Sequence, residues 1–371
     1  LTLALSLLRI SWMRIWYFGS YPEWYPRNSV IRKGLRIAGA EVIELNVPAQ
    51  KLLRMPRLFL KALLKRTPDV IIVPECDLES FPSAFVIARA LGAVLVYDAF
   101  YSRWDALVND EMEVSRGSAK ARLTRMLEGF TVKNADLVLA DTNAHADYIA
   151  DIYRVPRDKF ETVYIGADDE LFYPMPESKE KTFIVHYNGF YHRLQGAPAI
   201  IEAAHLLRNE PDIRFEMIGK RASASFKDVI AKMEELKPEN ITFVDTLPIS
   251  EMPSRMAKAG VCLGIFGKTG FGERVFPNKG FQTLAMRIAL ITRESKGSKE
   301  IGVAGRDFLT VPAEDARALA DAILFLKNNP EKRRGIAEAG WNLYKERFAP
   351  GPIGRSLLAR LEKVLSEREK Q

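Results

Sequence analysis

The chain of 371 residues has two cysteines, Cys76 and Cys262, and four histidines, His145, His186, His192 and His205. Two cysteines so far apart build neither a disulfide framework nor a zinc cluster, which favours a reducing cytosol. The histidines show no metal-ligand spacing and no Asp-x-Asp carboxylate pair occurs, so no dedicated metal site is expected. Lys- or Arg-rich tracts interleaved with aromatics are also missing, which argues against nucleic acid. The formal net charge of +7 suits an anionic substrate or an anionic membrane surface, and equally a mild surface surplus of lysine. Leu1 to Ile10 is apolar but too short to span a membrane, and it has no clear small-residue cleavage site before Met13. Met13 reads as a natural start, which makes residues 1–12 an upstream extension, with a short membrane-touching helix as the other reading.

What is present fits two α/β domains, because single cores stop growing at about 250–300 residues. Apolar runs Arg14 to Ser20, Glu41 to Val47, Asp69 to Glu75, Val94 to Phe100 and Asp136 to Thr142 read as strands alternating with helical stretches. That alternation is the mark of a doubly wound parallel sheet. Gly19-Ser20 follows the first strand, where a glycine lets backbone approach a ligand closely. Between Glu44 and Asp69 there is no acidic residue, and Lys51, Arg54, Arg57, Lys61 and Lys65 cluster on a helical wheel opposite leucines and Phe59. This basic amphipathic helix, interrupted or begun by Pro56, fits contact with a membrane or a solvated surface helix equally well. In the second half Thr182 to Asn188, Arg214 to Lys220 and Ile241 to Val244 read as strands, Asp307 to Val311 closes the sheet, and three helices follow.

The chain is organised around residues 270–287. Val261 to Gly267 reads as a buried strand, Gly267, Gly270 and Gly272 open a loop, and Pro277 and Asn278 start a helix that Asn278 can cap. Arg274 and Lys279 flank the unpaired amides of that helix start, so dipole and side chains converge where a phosphate could sit. Gln282 follows one turn on, able to donate to and accept from sugar hydroxyls. Ile288 to Thr292 is the next strand.

This stretch resembles the nucleotide-binding segment of retaining glycosyltransferases of family 4, which share the GT-B architecture of two facing Rossmann-like domains. That segment usually carries two glutamates; here the positions hold Arg274 and Gln282, and Pro277-Asn278-Lys279 with Leu284-Ala285-Met286 resembles a sub-group whose first position is basic. The resemblance extends from Met13 onward. It implies an acceptor-side domain over 13–174, a nucleotide-sugar domain over 175–346, and a helix over 347–371 that returns to the first domain, with the linker at Val163 to Lys181. It places Gly19 and Ser20 toward donor phosphates and acceptor, Asp98 at the sugar pocket as a hydroxyl or proton acceptor, and Leu247 at the base. Gly189 and Gly196 keep the spacing of the loop whose two basic residues hold the diphosphate, but Phe190 and Gln195 occupy the basic positions. Arg274 and Lys279 are then the replacements, with Lys220, His192 and Arg193 in reserve.

The implied function is transfer of a sugar, with retention, from a nucleotide-diphosphate sugar to a glycan or lipid-linked acceptor. It needs no cofactor and no metal, and its setting is cytoplasmic or peripheral at the inner membrane face. Arg274 and Lys279 would stabilise the leaving diphosphate, and the resemblance implies that no protein nucleophile is needed, the acceptor attacking the face that the diphosphate leaves and a phosphate oxygen taking its proton. Two other readings stand beside it: a nucleotide-sugar epimerase, for which no strong set of carboxylates and histidine is present, and a catalytically silent nucleotide-sugar-binding homologue, motivated by Phe190, Gln195 and Gln282.

Overall fold

The computed structural model describes residues 13–47, 51–176, 182–220 and 226–370. The expected upstream extension lies outside the described residues, as do residues 177–181 of the expected linker. The chain divides into two compact units, one formed by residues up to Trp104 with Val114–Ile165 and the segment from Ala349, the other by Asp105–Glu113 and Gly166–Phe348. The passage at Gly166 precedes the expected boundary at Pro174. Residues just after it already pack with the second unit: Phe172 is buried, and Tyr344 donates its hydroxyl to the carbonyl of Ala167 at 2.9 Å.

The first unit is built on β1 (Arg14–Gly19), β2 (Glu41–Asn46), β3 (Val70–Val73), β4 (Val94–Phe100), β5 (Leu137–Ala140) and β6 (Phe160–Thr162). They run parallel in the order β2-β1-β3-β4-β5-β6. A parallel sheet covered on both faces explains why an inner strand such as Val70–Val73 is apolar at every position, whereas edge strand β2 carries Glu41 and Glu44. Ile15 and Tyr17 face one layer of helices, Pro26–Ile37 and Pro350–Arg368, through Val30, Leu35, Ile353 and Leu357. Trp16 and Phe18 face the other layer, to which Leu58, Phe81, Val132 and Ile149 contribute. Edge strand β6 has only three residues and was not expected, since so short a run gives no periodic signal.

The basic helix forms over Lys51–Leu63 with Pro56 inside it. Leu58 and Ala62, one turn apart, take the sheet-facing positions, and Phe59 is more than half exposed. No helix among the described residues is long and apolar enough to cross a membrane.

The second unit carries β7 (Phe183–Asn188), β8 (Ile213–Ile218), β9 (Ile241–Val244), β10 (Ala259–Leu263), β11 (Leu290–Arg293) and β12 (Leu309–Val311), all parallel, in the order β12-β11-β10-β7-β8-β9. The direction of winding reverses between β7 and β10. In open α/β sheets such a reversal leaves a crevice at the carboxyl ends of the strands. Strand β10 stops earlier than the expected Gly267 because the next residues leave the sheet for the loop after β7. Phe266 N–H donates to the carbonyl of Gln195 and Gly267 N–H to that of Leu194, both at 3.0 Å. The expected loop over Gly270 and Gly272 is instead a short helix, Gly270–Arg274, capped by the Thr269 hydroxyl, which accepts from Gly272 N–H at 2.9 Å.

Candidate functional site

At the reversal point of the second sheet, Asn188 ends β7 and the chain turns at Gly189 with a φ of +149°. A Cβ there would lie 2.8 Å from Lys279 Nζ and 3.4 Å from Tyr187 Oη, so only glycine lets the loop close over the lysine. A Cβ on Gly267 would likewise lie 1.9 Å from the carbonyl oxygen of Arg193. The loops after β7 and β10 thus meet backbone to backbone.

Lys279 rises into this junction from the helix Asn278–Ala285. Pro277, not Asn278, occupies the cap position and no side chain caps the helix; Asn278 is its first residue and half-buried, because proline fixes the extended φ that the cap requires. Lys279 is only 5% exposed. Its ammonium donates to Gln195 Oε1 at 2.5 Å and lies 3.9 Å from the centroid of the Tyr187 ring. The single proton of the Tyr187 hydroxyl is shared between the Phe190 carbonyl oxygen at 2.9 Å and Gln195 Oε1 at 3.2 Å. No carboxylate among the described residues forms an ion pair with Lys279. Burial accordingly holds its pKa well below the ordinary lysine value. Gln195, expected at a position where a cation would serve, is therefore the acceptor that holds the cation in place. Gln282, one turn further, is buried on the same helix.

Arg274 is placed differently from the expectation. Its guanidinium is ion-paired with Asp105, which the segment Asp105–Glu113 brings into the second unit. The charge expected to replace a missing basic pair is thus already compensated. The same segment brings in Asp110, whose pKa is pushed up to about 6, first by burial and then by Glu111 and Asp105, against a hydrogen bond with Thr269 and the charge of Arg193. Arg293, at the end of β11, donates to the carbonyl of Gly267 at 2.6 Å and to Glu273 Oε2 at 2.5 Å, which ties the glycine-containing segment together. Sequence reasoning assigned no role to Asp110 or Arg293. Their neighbours come from far along the chain, and no local pattern signals such pairs.

Of the remaining expected residues, Phe190 and Lys220 adjoin the junction, Lys220 following Gly219, on which a Cβ would lie 1.9 Å from the Gly189 carbonyl oxygen, and Leu247 lies apart. Phe190 is 55% exposed, 5.6 Å from the His192 ring between centroids. Lys220 is exposed beyond the end of β8. Leu247 is half-buried after β9, the edge strand of its sheet, two strands away from β7.

In the first unit, Gly19 ends β1 at that sheet's own reversal point, beside β3. Its close approach is to protein rather than left open: a Cβ would lie 2.5 Å from Asp77 Oδ2, and the following amide, Ser20 N–H, donates to that oxygen at 2.7 Å. Asp98 is fully buried, with Arg27 donating to it through Nε at 2.7 Å and Nη2 at 2.6 Å. Arg27 also binds the Val163 carbonyl at 2.6 Å and is itself fully buried. Asp98 is therefore the counter-ion of a sealed arginine and not a group open to a sugar, because a buried guanidinium needs its carboxylate. Among the described residues no group of three metal-ligating side chains comes together.

Residues 14–166 match the glycosyl transferase 4-like domain, and residues 181–329 match the glycosyl transferases group 1 domain. Between them the two matches span most of the chain. It belongs to the GT-B glycosyltransferases. Solved structures agree on the fold at low identity. HepE of Anabaena, in complex with UDP-glucose, is 15% identical at a TM-score of 0.70, over 95% of this glycosyltransferase and 100% of HepE. Sucrose-phosphate synthase of Thermosynechococcus elongatus is 15% identical at 0.71, over 96% and 100%. A glycosyltransferase of Rickettsia africae is 14% identical at 0.70, over 95% and 99%. No curated protein matches the chain in sequence.

Proposed function

We propose that this GT-B glycosyltransferase takes a sugar, with retention of configuration, from a nucleotide-diphosphate sugar and passes it to a glycan or lipid-linked acceptor. The observation that carries the reading is Lys279, a buried cation at the β7/β10 reversal point whose described partners are neutral. The glycosyltransferase families matched by both halves of the chain, and the UDP-glucose carried by HepE, support a nucleotide-sugar donor.

As the bond between sugar and diphosphate breaks, negative charge grows on the leaving oxygen. A preorganised ammonium that already lacks water stabilises that charge more than a solvated one would. In this reading Lys279 meets the diphosphate, Gln195 and Tyr187 fix its direction, and Gln282 and Asn278 line the nucleotide side of the same helix. Arg274 contributes through its pair with Asp105, and Lys220 and Leu247 flank the nucleotide. A phosphate oxygen of the donor accepts the acceptor's proton, and the reaction proceeds without a metal ion.

Incubating the protein with a panel of nucleotide-diphosphate sugars and following release of the nucleoside diphosphate tests this, with the anomeric configuration of the product read by NMR. Turnover should persist in EDTA. Failure of every donor to be consumed would remove the enzyme reading. Tight donor binding without turnover for any acceptor would favour a silent homologue, a reading that Phe190 and the neutralised Arg274 favour.

A further inference from the structure

Helices Lys51–Leu63, Phe81–Leu91 and Ala119–Asn134 lie on one face of the first unit's sheet, contributing Leu58, Phe81 and Val132 to a common core. Their outer surface is not what a solvated layer of helices usually shows. Phe59, Leu60, Val86, Leu123 and Met126 are each more than half exposed, and so is Leu64 just past the first helix. Leu123, Met126 and Phe130 follow one another at helical spacing and form a stripe. Phe130 joins this stripe to the neighbouring helix, its ring 5.9 Å from that of Phe85. Single exposed apolar side chains are ordinary, whereas a run of them across adjoining helices marks a contact surface.

Charge on the same helices has one sign. Their sequences contain a single carboxylate, Glu128, and it is fully buried, accepting from Tyr153 at 2.6 Å and Ser102 at 3.0 Å. Arg57, Lys61, Arg122 and Lys133 are exposed among the apolar residues. The next helix of the layer, Asn143–Tyr153, reverses the pattern, with Asp147 and Asp151 and no lysine or arginine. The basic, apolar surface is therefore bounded rather than a general property of the unit.

We propose that this three-helix face docks on an anionic lipid bilayer, with Phe59, Leu60, Leu64, Leu123 and Met126 entering the headgroup region and the surrounding lysines and arginines meeting lipid phosphates. Charge complementarity selects this occupant. A second copy seated on the same face would set cation against cation with no exposed carboxylate from these helices to compensate. A bilayer supplies both the negative surface and the apolar interior that the side chains call for. The inference deepens the lipid side of the function proposed above, since a lipid-linked acceptor would be met at such a surface, but it stands on residues that take no part in donor binding.

The test is co-sedimentation of the full chain with phosphatidylcholine vesicles and with vesicles of phosphatidylcholine and phosphatidylglycerol in equal parts, at low salt. The chain should bind the second and leave the first largely unbound. The double variant Leu123→Glu, Met126→Glu should abolish binding, and Lys61→Glu or Arg122→Glu should each weaken it by at least roughly five-fold, the worth of about one basic residue near an anionic surface. All four positions are exposed, so an unchanged thermal midpoint and unchanged turnover of a soluble donor confirm that the variants fold. No binding to phosphatidylglycerol vesicles by the unmodified chain overturns the proposal, as does unaltered binding by the double variant. A dimer in sedimentation velocity that the double variant dissociates, without vesicle binding, would give the face to a second copy instead. Loss of vesicle binding with donor turnover retained leaves the enzymatic reading untouched, so the two can fail separately.

Discussion

Lys279 Nζ and Gln195 Oε1 lie 2.5 Å apart although 84 residues separate them in the chain. The amide oxygen orients the amine but brings no negative charge, so nothing in its described surroundings offsets the desolvation that lowers its pKa. Keeping the group charged there costs free energy, and an arriving anion would favour the charged form.

Replacing that lysine should therefore separate stability from function. Lys279→Met is expected to stabilise the ligand-free protein, because an apolar side chain of similar length carries no desolvation cost there. Calorimetry would show a higher Tm, and the stabilisation that a nucleoside diphosphate confers on the unmodified chain should vanish. Lys279→Ala should lower turnover by roughly 10²- to 10³-fold, as for loss of one preorganised donor at a developing anion. Full activity in both variants would place the diphosphate elsewhere.

Gly189→Ala examines the loop rather than the cation. The added methyl would lie 2.8 Å from Lys279 Nζ on a backbone with φ of +149°, so the loop must shift or the lysine must leave its place. A loss of about 1–3 kcal/mol in stability is expected from the backbone conformation alone, together with weaker binding of nucleoside diphosphate in a titration. An alanine variant with unchanged melting and unchanged affinity would show that the close approach is not needed.

Asp110 gives a pH signature with a definite sign. Burial raises its pKa to about 6 in the folded protein, so the folded state holds the proton more tightly than the unfolded chain does. Its contribution to stability is present below the ordinary aspartate range and is lost as pH rises through about 6. Asp110→Asn should remove that decline, so denaturation midpoints of the variant should fall less than those of the parent between acid pH and neutrality. Parallel curves for the two proteins would count against the assignment.

The sequence carried the alternation of strands and helices, and with it the doubly wound architecture, because buried parallel strands such as Val70–Val73 are apolar at every position. It also carried the Asn278–Ala285 helix, through the glycine and proline signals around it. It did not carry strand β6, which is too short to show a period, nor did it decide which apolar residues of the basic helix meet the sheet, where the fold selects Leu58 and Ala62. Site chemistry was the least legible. Whether Arg274 and Asp98 stand open or neutralised depends on Asp105 and Arg27, which are distant in sequence, and no local pattern encodes a partner 169 or 71 residues away. Lys279 and Gln195 were each singled out, but their hydrogen bond required the fold.

The packing of the last helix bears on how the molecule is made. Pro350–Arg368 lies directly on Pro26–Ile37, so close that a Cβ on Gly354 would sit 1.9 Å from the carbonyl oxygen of Gly34, and Ile353, Leu357 and Leu361 complete one layer of the first unit's core. During vectorial synthesis the first strands leave the ribosome long before that layer exists. One face of their sheet, lined by Ile15, Val70 and Val94, has Pro26–Ile37 early but must wait through translation of the whole second unit for Ile353, Leu357 and Leu361. Of the two units, the first is thus begun earlier and completed later, and in that interval part of its apolar core lies open to wrong partners.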